Sequence, residues 1–231
     1  MIAIVSLILG MLSSISSFTE KADALLSARV AEGRVDYEAI KQDRSRMDPL
    51  YRQLGEVSLE DASEAEKKAF YINAYNIITI YQVVKHYPVK SPQDIAGFFD
   101  QQKHTVAGEL LTLNELEKEK LLTPYQDPRV HFVLVCAAAS CPPLADFAYR
   151  ADQLDKQLDQ KTRQALNDDQ FIRVMKDRKK VELSKIFEWY QDDFLKKAAS
   201  PLAYINQYRD EKISTSYDVG YYEYDWTLNQ Q

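Results

Sequence analysis
The sequence predicts an α+β fold, a single domain with a small antiparallel sheet and a buried central helix. Three observations carry that prediction. Residues 64–86 (EAEKKAFYINAYNIITIYQVVKH) are apolar almost all round at their centre, as a helix enclosed by a core is. Residues 130–136 (VHFVLVC) form a short, nearly continuous apolar run, the pattern of a strand buried on both faces. Residues 171–175 and 180–183 are β-rich runs on either side of the charged stretch 176–179, which reads as a solvated hairpin tip rather than a binding patch. Helical and extended patterns follow one another irregularly, without an internal repeat.

In chain order, residues 2–12 are nearly all apolar and are followed by small polar residues. That is the pattern of a secretory signal, here 1–17 with cleavage near Ser16 to Phe18, although no basic residue precedes it. The expectation is an exported chain, periplasmic or secreted, with its domain over 18–231. No cysteine closes the apolar run, which argues against a lipid anchor, and no later run is long enough to span a membrane once the signal is removed. Residues 20–33 carry apolar positions at helical spacing and stop at Gly33. Residues 37–55 read as a helix broken near Asp48-Pro49. The helix over 64–86 opens on acidic residues, as the helix dipole favours, and ends before Pro88 and Pro92. A helical turn over 93–99 and a strand edge over 103–106 follow, then a turn at Ala107-Gly108. Thr112 and Glu115 have the spacing of a capping box at the start of a helix over 112–122. Beyond the 130–136 run, helices are expected over 150–167, 184–197 and 201–210, and an extended, tyrosine-rich tail over 213–228.

The chain has 231 residues, of which 45% are apolar and 28% charged, an ordinary balance for a folded domain. Its net charge of −6, with no basic stripe interleaved with aromatics, gives no support for nucleic-acid binding. The 15 tyrosines are an unusual number, and side chains with an apolar body and a polar tip suit the margin of a core or the wall of a groove. No phosphate-binding glycine motif is present and no cofactor is implied. Composition is silent on oligomeric state.

Chemically capable residues concentrate in 111–144. On a regular strand, His131 shares a face with Val133 and Val135, while Cys136 points the other way. Cys141 lies past the small-residue loop 137–140, where the chain can return, so it is the cysteine able to meet His131. If Cys141 stands near a helix N-terminus, the dipole favours its thiolate, and a thiolate–imidazole pair is the nucleophile and base of acyl transfer. Glu117 shares a helical stripe with Leu113 and Leu121, which makes it the choice for an inward carboxylate able to orient His131, the alternative being that Glu115, Glu117 and Glu119 form a solvated acidic face. Asn73 and Asn76 sit within an apolar helix, where a buried amide must be paired. They either pin neighbouring loops or donate to an oxyanion, together with the backbone N–H of Cys141. The alternatives are a structural Cys136–Cys141 disulfide, which export favours, a core histidine, and a zinc site from His104, His131 and the two cysteines. Zinc spacing is absent, with no CxxC and no HExxH, so no metal is expected.

Five segments, KKAFYINAYNIITI (67–80), LTLNELE (111–117), DPRVHFVLVCAAASCPPL (127–144), ELSKIFEWYQDDF (182–194) and YDWTLN (224–229), together resemble the domain of unknown function family numbered 547. The resemblance runs from about Asp36 to Asn229. It implies a papain-like, cysteine-peptidase-like fold and a triad in the order Glu, His, Cys, here Glu117, His131 and a cysteine of the CAAASCP loop. The strand-face argument selects Cys141. Lys118 stands where the family often has histidine. The expected activity is that of a cysteine hydrolase or acyltransferase acting on an amide bond of a peptide-like or cell-wall-derived substrate. The rival expectation is a non-catalytic module on the same fold that binds a peptide or glycan, with its cysteines buried or paired.

Overall fold
The computed structural model describes residues 14–231. Most of the expected leader lies outside the described residues. Its last positions are in α1 (Ile15–Arg29), which Ser14 caps by accepting from the Ser17 N–H. Phe18, fully buried, meets Phe70 edge-on with ring centroids 5.3 Å apart.

The chain is α+β, with helices dominating and sheets small. A hairpin of β1 (Val30–Ala31) and β2 (Arg34–Val35) follows α1 and turns through Glu32 and Gly33, both at positive φ. Next come α2 (Tyr37–Gln42) and α3 (Met47–Glu56). Their break falls at 43–46, ahead of Pro49, because Pro49 sits in the first turn of α3, where its missing N–H has no helical partner to lose. The buried central helix is α4 (Glu64–His86), with the bounds its sequence pattern predicts and a Ser63–Glu66 capping box at its start. A second hairpin, β3 (His104–Val106) with β4 (Glu109–Leu111), turns at Ala107-Gly108.

The helix expected over 112–122 begins on its capping box, with Thr112 accepting from Glu115 N–H, but it is not a regular α-helix. A single turn, α5 (Leu113–Glu115), passes into a π-helical segment (Leu116–Leu122) and then α6 (Thr123–Tyr125). In the second half, α7 (Leu154–Asn167) leads to β5 (Ile172–Met175) and β6 (Lys180–Leu183), the predicted antiparallel hairpin. Next are α8 (Ile186–Trp189), α9 (Gln191–Leu195) and α10 (Pro201–Tyr208). The predicted helix over 184–197 is thus two, broken at Tyr190. The last strand, β7 (Asp218–Tyr221), adds parallel to β6, so the three-stranded sheet β5-β6-β7 is mixed rather than antiparallel.

The run 130–136 is not a strand. Pro128–Phe132 is a 3₁₀ helix, started by Pro128 and by Asp127, whose carboxylate accepts from the Arg129 N–H. Among the described residues, 133–136 pair with no strand, and a side chain takes the partner's place. Asn76 of α4 donates to Val133 O at 2.9 Å and accepts from Val135 N–H at 3.0 Å. The alternation of faces inferred for this run therefore does not apply.

Two apolar clusters meet along a seam. One gathers α1–α4, the first two hairpins and Val130; the other gathers the end of α7, the mixed sheet, α8–α10 and Phe132. Val130 and Phe132, both fully buried, anchor the 3₁₀ helix in opposite clusters, which leaves His131 at the seam. No helix among the described residues is long and apolar enough to cross a membrane.

Candidate functional site
The seam holds a cavity of about 300 Å³. Glu117, His131, Cys136 and Cys141 all line it. Its remaining walls are mainly aromatic, with Tyr75 and Phe99 from one side and Trp189, Tyr190, Tyr224 and Trp226 from the other. A mostly apolar cavity with a few converging polar groups has the general character of a ligand site.

Glu117 reaches the cavity from the π-helical segment. The extra residue in a π turn rotates the following side chains relative to an α-helix, and such bulges recur at functional sites. Leu116 and Leu121, both fully buried, fix the segment, and Glu117 is itself buried at 7% exposure. Burial pushes its carboxyl above the ordinary range, while the hydrogen bond from the Tyr190 hydroxyl and the nearby His131 pull the other way.

His131 is also buried, and its ring lies 4.1 Å from that of Tyr190 and 5.4 Å from that of Phe194. Its polar partner is Asp193 of α9, with Nε2 to Oδ2 at 3.0 Å. The hydrogen bond from His131 and a further one from Lys196 outweigh partial burial and hold the Asp193 carboxyl down to about 2. The residue that orients the imidazole is therefore Asp193, whereas the sequence pointed to Glu117. Glu117 faces the same cavity but bonds Tyr190.

The cysteines follow the alternative reading, a disulfide, rather than that of a free Cys141 thiol. Cys136 and Cys141 form a disulfide. Both sulfurs border the cavity, so the separation of a catalytic Cys141 from a core Cys136 by strand face does not hold. The chain beyond Cys141 is irregular until α7 begins at Leu154, so Cys141 does not stand at the N-terminus of a helix that follows it. The Cys141 N–H donates to Ala138 O at 3.1 Å and is not free to meet an oxyanion. What surrounds the sulfurs instead is a pair of donors. The Cys136 N–H approaches Cys141 Sγ at 3.0 Å, and the Tyr224 hydroxyl donates to the same sulfur at 3.1 Å while lying 3.3 Å from Cys136 Sγ.

Asn73 and Asn76 are loop pins. The Asn73 amide grips Tyr149 through its N–H and C=O, both at 2.8 Å, as Asn76 grips Val133 and Val135. Their amides are committed to main chain rather than aimed into the cavity. His104 does not line the cavity and is bonded through Nδ1 to the Tyr51 hydroxyl at 2.7 Å. Among the described residues no cluster of three or more His, Cys, Asp or Glu side chains is arranged to hold a metal.

Asp193, Tyr190, Trp189, Tyr224 and Trp226 were not singled out from the sequence. The segments that carry the family resemblance, ELSKIFEWYQDDF and YDWTLN, contain all five. Residues 59–165 match the family described as Protein of unknown function, DUF547. The matched region includes Asn73, Asn76, Glu117, His131 and both cysteines, and ends before Asp193 and Tyr224. No curated protein and no solved structure matches the chain.

Proposed function
We propose that the seam cavity is the acyl-transfer site of a cysteine hydrolase, on a papain-like, cysteine-peptidase-like fold, acting on an amide bond of a peptide-like or cell-wall-derived substrate in the exported protein. The observation that carries this reading is the convergence of Glu117, His131 and Cys141 from three separate segments on one aromatic-walled cavity, with Asp193 bonded to the imidazole. In the reduced protein the Cys141 thiolate attacks the substrate carbonyl. His131 then protonates the leaving amine and activates the water that hydrolyses the thioester. Asp193 stabilises the imidazolium during that cycle. Glu117 and Tyr190 present a polar pair to the substrate's amide. The disulfide keeps this site latent until it is reduced.

The disulfide also favours a second reading, a binding module whose cysteines are paired for good and whose tyrosine and tryptophan walls receive a peptide or glycan. Labelling of the fully reduced protein with iodoacetamide separates the two. On the catalytic reading, Cys136→Ala still labels rapidly and Cys141→Ala does not. His131→Ala slows labelling of Cys141 at pH 7 by about tenfold or more, because the thiolate loses its imidazolium partner. A Cys141 with an ordinary thiol pKa near 8.5, unaffected by His131→Ala, rejects the nucleophile and leaves the binding module.

A further inference from the structure
We propose that Cys136–Cys141 is a thiol–disulfide exchange site for low-molecular-weight thiols, in which Cys136 is the sulfur attacked and Cys141 the sulfur released. The hydrogen bonding around the two sulfurs is unequal. Cys141 Sγ receives both the Cys136 N–H at 3.0 Å and the Tyr224 hydroxyl at 3.1 Å, whereas Cys136 Sγ has only the longer contact with Tyr224 at 3.3 Å. Donors aimed at a sulfur stabilise its thiolate, and exchange is faster when the departing thiolate is the more stable one. Burial raises the Tyr224 phenol, so its hydroxyl stays a donor throughout the pH range in which small thiols ionise. Both cysteines border the aromatic cavity, from which a small thiol can arrive, and Cys141 also borders a second cavity with the polar residues Arg34, Ser140, Arg173 and Asp225, so the choice of sulfur rests on the hydrogen bonding and not on access.

The exchange runs in two balanced steps. A thiolate RS⁻ attacks Cys136 Sγ; the new R–S–S–Cys136 bond forms as the Cys136–Cys141 bond breaks, and the electron pair stays on Cys141 Sγ as a thiolate held by its two donors. A second RS⁻ attacks the R sulfur of that mixed disulfide and releases RSSR and the Cys136 thiolate, which takes a proton from solvent. Two thiols are oxidised to one disulfide, and the protein disulfide gains two electrons. This chemistry does not depend on the hydrolase reading, because it concerns only the oxidised cysteine pair.

The test treats the native oxidised protein with reduced glutathione, quenches with acid at intervals, and maps the glutathione adduct by peptide mass. The expected adduct is on Cys136. In Tyr224→Phe, which keeps the ring and loses the donor, reduction slows by about threefold to tenfold. Because the adduct is mapped in unaltered protein, the assignment does not rest on how the variant folds. An adduct on Cys141, a disulfide that glutathione reduces only after denaturation, or Tyr224→Phe reduced at the rate of the parent overturns the proposal. The hydrolase reading fails separately, through His131→Ala in prereduced protein.

Discussion

Asn76 does the work of a missing strand. Its amide satisfies Val133 O and Val135 N–H, two main-chain groups that a sheet neighbour would otherwise pair, and the residue is 2% exposed. Asn76→Ala leaves both groups buried without that partner. A loss of about 2–6 kcal/mol in urea unfolding is expected, since each of the two orphaned buried polar groups costs roughly 1–3 kcal/mol. A loss below 1 kcal/mol shows that the loop re-pairs its own backbone. The sequence made the need for partners legible, because two amides inside an apolar helix must bond something. It could not name those partners, which lie on segments brought in from more than fifty residues away. Asp193 was hidden for a related reason. Next to Asp192, in a segment that reads as one helix, it carries no local mark, and only the helix break at Tyr190 turns it toward His131.

At the scale of elements, helices with a strong local signature were readable and the centre of the site was not. α4 has its cap, its acidic first turn and its apolar centre in the sequence, and it folds over the predicted residues. The 130–136 run has the composition of a strand, but Asp127-Pro128 starts a 3₁₀ helix and Asn76 removes the need for a strand partner. The π-helical segment likewise has no sequence signature of its own. Asp127 is the anchor that shapes the His131 helix. Its carboxylate takes Lys68 at 2.7 Å and a paired grip from Arg129, whose other end reaches Asp155 at 2.8 Å. Burial alone would raise this carboxyl, but the hydrogen bonds from Arg129 and Lys68 prevail and hold it at about 2. A carboxylate with its folded pKa below the unfolded value of roughly 3.9 contributes stability above that pH and loses it as the pH falls toward 2. Asp127→Asn is therefore expected to cost about 3 kcal/mol at pH 7, because it strands the buried Lys68 charge, and to flatten the acid limb of the stability profile. Urea unfolding at pH 7 and pH 3 measures both effects. An undiminished acid limb in the variant assigns the pH dependence to other carboxylates.

Across the whole molecule, the C-terminal tail closes the site. It was readable as extended and rich in tyrosine, but its role depends on long-range contacts that no local pattern encodes. After β7 the chain crosses the cysteine loop, where Ala139 N–H donates to Thr227 O at 2.7 Å, Ser140 N–H to Asp225 O at 3.1 Å, and Asn229 N–H to Ala137 O at 3.0 Å. It then reaches the opposite end of the chain, where Val35 N–H donates to Asn229 O at 2.9 Å and the Tyr37 hydroxyl to Asn229 Oδ1 at 2.7 Å. On the way it contributes Tyr224 and Trp226 to the cavity wall, with Trp226 packed 6.0 Å from Trp189. The tail thus joins the first hairpin, the disulfide loop and the aromatic wall, so removing it should open the site without unfolding α4, whose packing lies mainly with the N-terminal cluster. Truncation before Tyr224 is expected to make the Ala139 and Ser140 amides exchange with solvent at least about tenfold faster while the central amides of α4 stay protected, the pattern of a local rather than a global opening. Native-state hydrogen exchange reads both regions in one experiment. If the two regions lose protection together, the tail belongs to the cooperative core of the fold, and the cavity is a product of global stability rather than of this one closing segment.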